Sequence, residues 1–237
     1  MKYEDSALAA IAGYVDTLGF VALFGLFTAH VTGNFVLIGA EVAGFGQGVL
    51  IKLMAFPAFI FGVTLSSVLM KTVRPKGAAR QACLLYCVQA VLLLGFCLVG
   101  ASVTPVINVG TVPVVVCGML GAASMGVQNA HSKLVSRPGV PNTVMTGNVT
   151  QAVLDTVDLA SPRVIPELKS AARARLGKTL HAVACFAVGA IGGAVAYKHA
   201  SFWALLLPFA VLVWLAASTR GGQPNAAPRP TATGSAG

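Results

Sequence analysis

Residues 81–132 contain no Lys, Arg, Asp or Glu. A soluble domain carries charge on about a quarter of its residues, so water cannot be the main solvent of a 52-residue stretch like this one. A hydrocarbon layer of ~30 Å takes about 20 apolar residues per helical crossing. The stretch is therefore long enough for two crossings, with Thr104, Pro105 and Asn108 marking the turn between them. Uncharged runs of span length also cover residues 53–70, 179–197 and 201–219, and the whole chain of 237 residues is 56% hydrophobic and 10% charged. The first apolar run, residues 6–40, holds only one charge, Asp16. As a single helix it would be roughly 52 Å long, too long for one crossing. Six spans follow, near 7–28, 50–71, 82–103, 109–129, 178–197 and 201–218, with residues 34–46 as an additional short helix. The stretch ahead of the first span is nearly neutral and the span exceeds a signal-peptide core, so it reads as a membrane helix. Residues 220–237, rich in Gly, Pro, Ala and Thr, read as a disordered tail.

The net charge of +9 is explained by where the charges sit. With the N-terminus inside, the inner segments collect Lys2, the basic residues of 71–80, those of 133–178, and Arg220 and Arg229. That is 14 of the 16 Lys and Arg, leaving Lys52 and Lys198 outside. Lys and Arg concentrate in cytoplasmic loops, so both termini are expected in the cytoplasm of a bacterial-type inner membrane. The same distribution removes any need for a nucleic-acid partner. Cys83, Cys87, Cys97, Cys117 and Cys185 all fall within spans without CxxC or His at ligand spacing, and read as small buried hydrophobes. No metal and no cofactor are expected.

The chain repeats itself. Residues 32–34 and 146–148 both read TGN, at an offset of 114. "FIFG" at 59–62 is echoed by "FAVG" at 186–189, at an offset of 127, which also places Lys71 over Lys198. The difference assigns about 13 extra residues to a cytoplasmic loop around 161–173. Three spans per half mean that the second half enters the membrane from the opposite side, so residues 1–105 and 106–219 read as inverted repeats. The expected fold is an all-α membrane protein of six transmembrane helices, two inverted three-helix repeats, each carrying a short helix that starts at TGN. In transporters of inverted construction, sites lie near the midplane where interrupted helices meet.

"GYVDTLGF" followed by "HVTGN", and "GVQNA" followed by "GVPNTVMTGNVTQ", resemble the YoaK-type family of bacterial integral membrane proteins. The resemblance covers nearly everything but the tail. It implies a multi-span inner-membrane protein, sometimes presumed to carry small molecules, with no settled activity or substrate.

The candidate site residues are Asp16, Thr32, Gly33, Asn34, Gln128, Asn129, Thr146, Gly147 and Asn148. If both TGN segments re-enter the membrane, their helix starts present unpaired N–H groups and a positive dipole end toward the midplane, side by side. Gly33 and Gly147 permit close approach, and the Thr and Asn side chains replace hydration. The plainer reading is a turn with an N-cap, Asn148 and Gln151 having capping-box spacing. Asp16 shares a face with Ala9, Ala12, Gly13 and Gly19 and so points into packed protein, where an ionisable group is a functional candidate by default. Gln128 and Asn129 occupy the place that answers Asp16. His30 and His131 read as loop residues, and Gly118, Ala122, Gly126, Gly189 and Gly193 as packing faces.

The function expected is a small-solute transporter or channel, with the bilayer and a small solute or ion as partners. A non-catalytic assembly subunit is the alternative. An enzyme is not expected, since no Ser/His/Asp or HExxH grouping occurs on a span.

Overall fold

The computed structural model describes residues 4–135, 142–143 and 145–221, which leaves the tail expected at 220–237 almost wholly outside the described residues. The helices are α1 (Glu4–Ala22), α2 (Gly33–Val42), α3 (Val49–Val73), α4 (Ala78–Val103), α5 (Val112–Leu134), α6 (Met145–Ala160) and α7 (Pro166–Ala200). A 3-10 turn (Ser201–Leu205) then leads into α8 (Leu206–Gly221). No strand occurs among the described residues. Helices α1, α3, α4 and α5 are each long and apolar enough to cross a membrane, and the segment Pro166–Thr219 is a fifth candidate of 54 residues. Within that segment Ser201, at φ 50, interrupts the helix between α7 and α8.

Local chemistry sets several ends. Proline lies in the first turn of α5 and of α7, where its missing N–H costs nothing. Gly44, Gly46 and Gly48 all have positive φ and carry the chain from α2 to α3, a conformation that side chains with a Cβ resist.

Several boundaries differ from the sequence reading. The first span ends at Ala22 rather than near residue 28, because Phe24 and Gly25 adopt positive φ and turn the chain back along α1. The short helix ends at Val42 rather than 46, where the glycine-rich turn takes over. The extra residues assigned to a loop at 161–173 are mostly helical: α7 begins at Pro166, well before the apolar stretch expected at 178, and its 35 residues exceed the 25 of α3. His131 is in the last turn of α5, not in a loop.

Two crossings organise the bundle, α1 against α7 and α3 against α5. Each is a contact of backbone on backbone. A methyl group on Gly13 would stand 2.1 Å from the carbonyl oxygen of Phe186, and one on Gly189 only 2.0 Å from that of Ala10. At the other crossing, Gly126 bears the same relation to Phe59 at 2.3 Å and Gly62 to Ala123 at 2.1 Å. Small residues allow this approach in lipid, where van der Waals packing rather than hydrophobic exclusion joins helices. The echoed "FIFG" and "FAVG" are these contact points. Helix α4 packs on α5 and α8, closing the core around Leu93, Phe96 and Met125. The short helices have less support: α2 packs on α3, and α6 on α7.

Candidate functional site

Asp16 lies six residues before the end of α1, about 9 Å along the helix, and is 3% exposed. Its Oδ1 accepts the backbone N–H groups of Thr28 and Ala29, both at 2.7 Å, and the Thr28 hydroxyl at 3.2 Å. Its Oδ2 is 2.7 Å from His30 Nδ1. The chain after α1 therefore runs back alongside it to the level of Asp16 before α2 begins. A charged acceptor makes such bonds stronger than neutral ones, and here they anchor a turn that no regular structure holds. The His30 side chain remains 37% exposed, and its ring stands edge-on to Phe186 at 5.7 Å between centroids. His30 is in a loop, as the sequence suggests, and is tied there to Asp16.

A comparable cluster toward the C-terminal end of α5 is built from amides. Asn129 Nδ2 donates to the Thr143 hydroxyl at 2.7 Å. Gln128 Nε2 donates to the carbonyl of Leu8 at 2.7 Å and reaches Asn142 Oδ1 at 3.4 Å, while its Oε1 accepts from Gln89 Nε2 at 2.7 Å. Asn142 and Thr143 thus lie beside residues five to six positions before the end of α5, so the chain folds back here as well. Leu8 is eight residues from Asp16, so the two fold-backs sit about 12 Å apart along α1. Gln128 is fully buried and all its polar atoms are used.

The tripeptides themselves are fasteners. Asn34, 1% exposed, accepts from the amide of Phe27 at 2.9 Å and donates to the carbonyl of the same residue at 2.8 Å, pairing like a strand neighbour. Gly33 lies under the Phe27 ring, which a Cβ would approach to 3.1 Å. Thr32 is exposed and makes no side-chain cap bond. The expected unpaired N–H groups are already bonded, since the amides of Gly33, Asn34 and Phe35 donate to the carbonyls of His30, Val31 and Thr32 in a tight first turn. In the second copy, α6 starts at Met145, so Thr146, Gly147 and Asn148 lie inside its first turn and Asn148 is not an N-cap. Thr146 and Gly147 are exposed, Asn148 is buried with Nδ2 3.6 Å from Met145 Sδ, and Gln151 donates to Asp155 rather than closing a capping box.

Nor do the two copies meet. Helices α2 and α6 make no contact, so the expectation of adjacent TGN starts is corrected. Phe186 on α7 meets His30 edge-on and also packs against the cluster of Ala9, Met145 and Ala182.

Two acid–base pairs went unnoticed in the sequence. Lys52 Nζ, buried at 1% exposure, bonds to Glu41 Oε1 and to the carbonyls of Phe24 at 2.9 Å and Gln47 at 2.8 Å. Asp155, fully buried, receives Arg175 Nε at 3.0 Å on each oxygen and Nη2 on Oδ1. The Arg175 hydrogen bonds hold the Asp155 carboxyl below its ordinary range. The signal was available, because the 114-residue offset that superposes the tripeptides also places Glu41 over Asp155. A third group, Glu4, Tyr86 and His131, is buried where α1, α4 and α5 come together: Tyr86 donates to Glu4, and its ring stacks on His131 at 5.1 Å.

A family model described as "Protein of unknown function (DUF1275)" matches residues 6–218. Over 155 residues the chain is 30% identical to the UPF0700 transmembrane protein YoaK of Bacillus subtilis (strain 168), covering 63% of this chain and 64% of that relative. The aligned part is thus a little under two thirds of the curated relative's length. No solved structure matches.

Proposed function

The chain belongs to the DUF1275 family, and from that premise we propose that this multi-pass membrane protein is a small-solute transporter or channel built from two inverted halves, residues 1–105 and 106–219. In this reading α1, α3, α4, α5, α7 and α8 make six crossings, both termini are cytoplasmic, and the solute passes between the two fold-backs. The observation that carries the proposal is Asp16: a carboxylate inside a membrane helix, bonded to chain that has turned back along that helix, with the partly exposed His30 as its outlet. Ionisable groups at such depth are expensive and are kept where ions or polar solutes move. Support for inversion comes from the crossings and the clamps together. Gly13 answers Gly126, Gly189 answers Gly62, and the Asp16–Ala29 bond answers Asn129–Thr143. His30 would meet the solute, Asp16 would hold the imidazole and balance its charge, and Phe186 would form the apolar barrier between the two approaches.

The competing reading is a non-catalytic assembly subunit, favoured by one fact: both Asp16 oxygens are engaged within the protein. Flux in proteoliposomes separates the two. Radiolabelled panels of small organic anions, organic cations and neutral polar solutes should include at least one class that enters faster than into protein-free vesicles. Asp16→Asn, which inserts normally, should lower that flux by about tenfold or more. Unchanged flux in the variant makes Asp16 a fastener, and no flux for any class with folded protein rules out transport. Orientation is checked independently: reporter fusions after Lys76 and at the C-terminus should both report cytoplasm, and a periplasmic signal from either removes the inverted topology.

A further inference from the structure

Each short helix is held at two points on one face. In α2 these are Asn34, bonded to Phe27, and Glu41, bonded to Lys52; in α6 they are Asn148, buried in the first turn, and Asp155, bonded to Arg175. Both intervals are seven residues, close to two helical turns, which returns the side chain to the same face. The repeated motif is therefore longer than three residues: TGN, six residues, then an acid, as in "TGNFVLIGAE" and "TGNVTQAVLD".

We propose that the two acid–base pairs are latches, with Glu41–Lys52 closing the fold-back of Asp16 toward the outer surface and Asp155–Arg175 closing that of Gln128 toward the cytoplasm. The proposal rests on the transport reading and states how its site is shut. Three observations carry it. First, each short helix leans on one long helix alone, α2 on α3 and α6 on α7, so it can swing away without opening the core. In α2 only Asn34 is buried. Second, the carboxylates are shielded: the Glu41 and Lys52 side chains are 5% and 1% exposed, and Asp155 is fully buried although its partner Arg175 is 47% exposed. A buried ion pair adds little net stability, yet separating it inside protein leaves an uncompensated charge. The stable arrangements are consequently paired and closed, or apart and hydrated, with nothing favourable between. Third, the two pairs differ in strength. Arg175 grips both oxygens of Asp155, whereas Glu41 Oε2 is buried without a hydrogen-bond partner. Unsatisfied buried polar atoms are costly, so the outer latch is the looser one. The Asn end of each helix stays near the fold-back and serves as the hinge, and the acidic end travels.

The test is one-sided thiol labelling of full-length protein in a background lacking the five native cysteines. A reporter cysteine goes at Ala29 or at Thr143, both buried, the first beside Asp16 and the second beside Asn129. A membrane-impermeant maleimide is added to one face of oriented vesicles. Glu41→Gln should speed labelling of the Ala29→Cys reporter from the outer face by about a hundredfold and leave the Thr143→Cys reporter unchanged. Asp155→Asn should do the converse from the cytoplasmic face. Reversing the pair, Glu41→Lys with Lys52→Glu, should return the outer reporter to its slow rate. Unchanged labelling in both single variants overturns the latches, as does either variant exposing both reporters, which is the mark of general loosening. Because labelling needs no solute, a loss of flux with normal latch behaviour counts against transport alone, and flux with no latch behaviour counts against the latches alone.

Discussion

Gly189→Leu is expected to prevent assembly of the helix bundle, and Gly62→Leu to do so to a similar extent. The Cβ of any side chain at position 189 would fall 2.0 Å from the Ala10 carbonyl oxygen, and at position 62 it would fall 2.1 Å from that of Ala123. Overpacking that neighbouring side chains can absorb costs about 1–3 kcal/mol. Here the obstacle is backbone, so a whole helix must move and the crossings that organise the molecule come apart. The loss should exceed that range and consume much of a total stability that is only about 5–15 kcal/mol. Gly177 is the control. Nothing lies within 4 Å of a Cβ built there, so Gly177→Ala in the interior of α7 should stabilise by up to about 1 kcal/mol through helix propensity. Unfolding monitored by SDS titration of detergent-solubilised protein measures all three. Wild-type stability in Gly189→Leu would mean that α1 and α7 do not cross at this point, and widely different losses at 62 and 189 would weigh against matched halves.

The second large effect is Asp16→Ala, for which a loss of about 3 kcal/mol or more is expected. The substitution strands three buried donors, the amides of Thr28 and Ala29 and the Thr28 hydroxyl, and each orphaned group costs about 1–3 kcal/mol. Asp16→Asn keeps an oxygen that can accept both amides, so its loss should be far smaller. The same SDS titration separates them. Equal losses would place the effect in the charge, and no loss in Asp16→Ala would mean the fold-back is held by something other than Asp16. The contrast matters for function, because it leaves Asp16→Asn as the variant in which flux can be read in a folded protein.

How much of this was legible in the sequence varied with the kind of interaction. Counting from the tripeptide sets Gln128 and Asn129 opposite Asp16, because a repeated motif carries an offset from one copy to the next. Their bonds to Asn142 and Thr143 are not legible in the sequence, since nothing in a local pattern announces which residues will lie beside a helix. The sequence suggests tripeptides with open donors, yet the Asn34 side-chain amide is bonded to Phe27. A buried polar side chain seeks the nearest backbone partner once packing has excluded water, and only the fold supplies that partner. Glu41 and Asp155 share the tripeptides' offset but not their identity, since the two acids differ by one methylene, so exact repetition ends at three residues.

The sequence by itself determined the all-helical membrane class, the approximate positions of the apolar segments and the duplicated motifs. Those follow from the cost of charge and unpaired backbone in hydrocarbon, which acts on each segment separately and needs no neighbour. The tertiary structure alone decided that α1 crosses α7 and that α3 crosses α5. It also decided that α2 and α6, the helices that carry the TGN copies, make no contact. Those outcomes depend on glycines and carbonyls more than a hundred residues apart in the α1–α7 pair, meeting at van der Waals distance, and the free energy of such a contact exists only when both surfaces are in place.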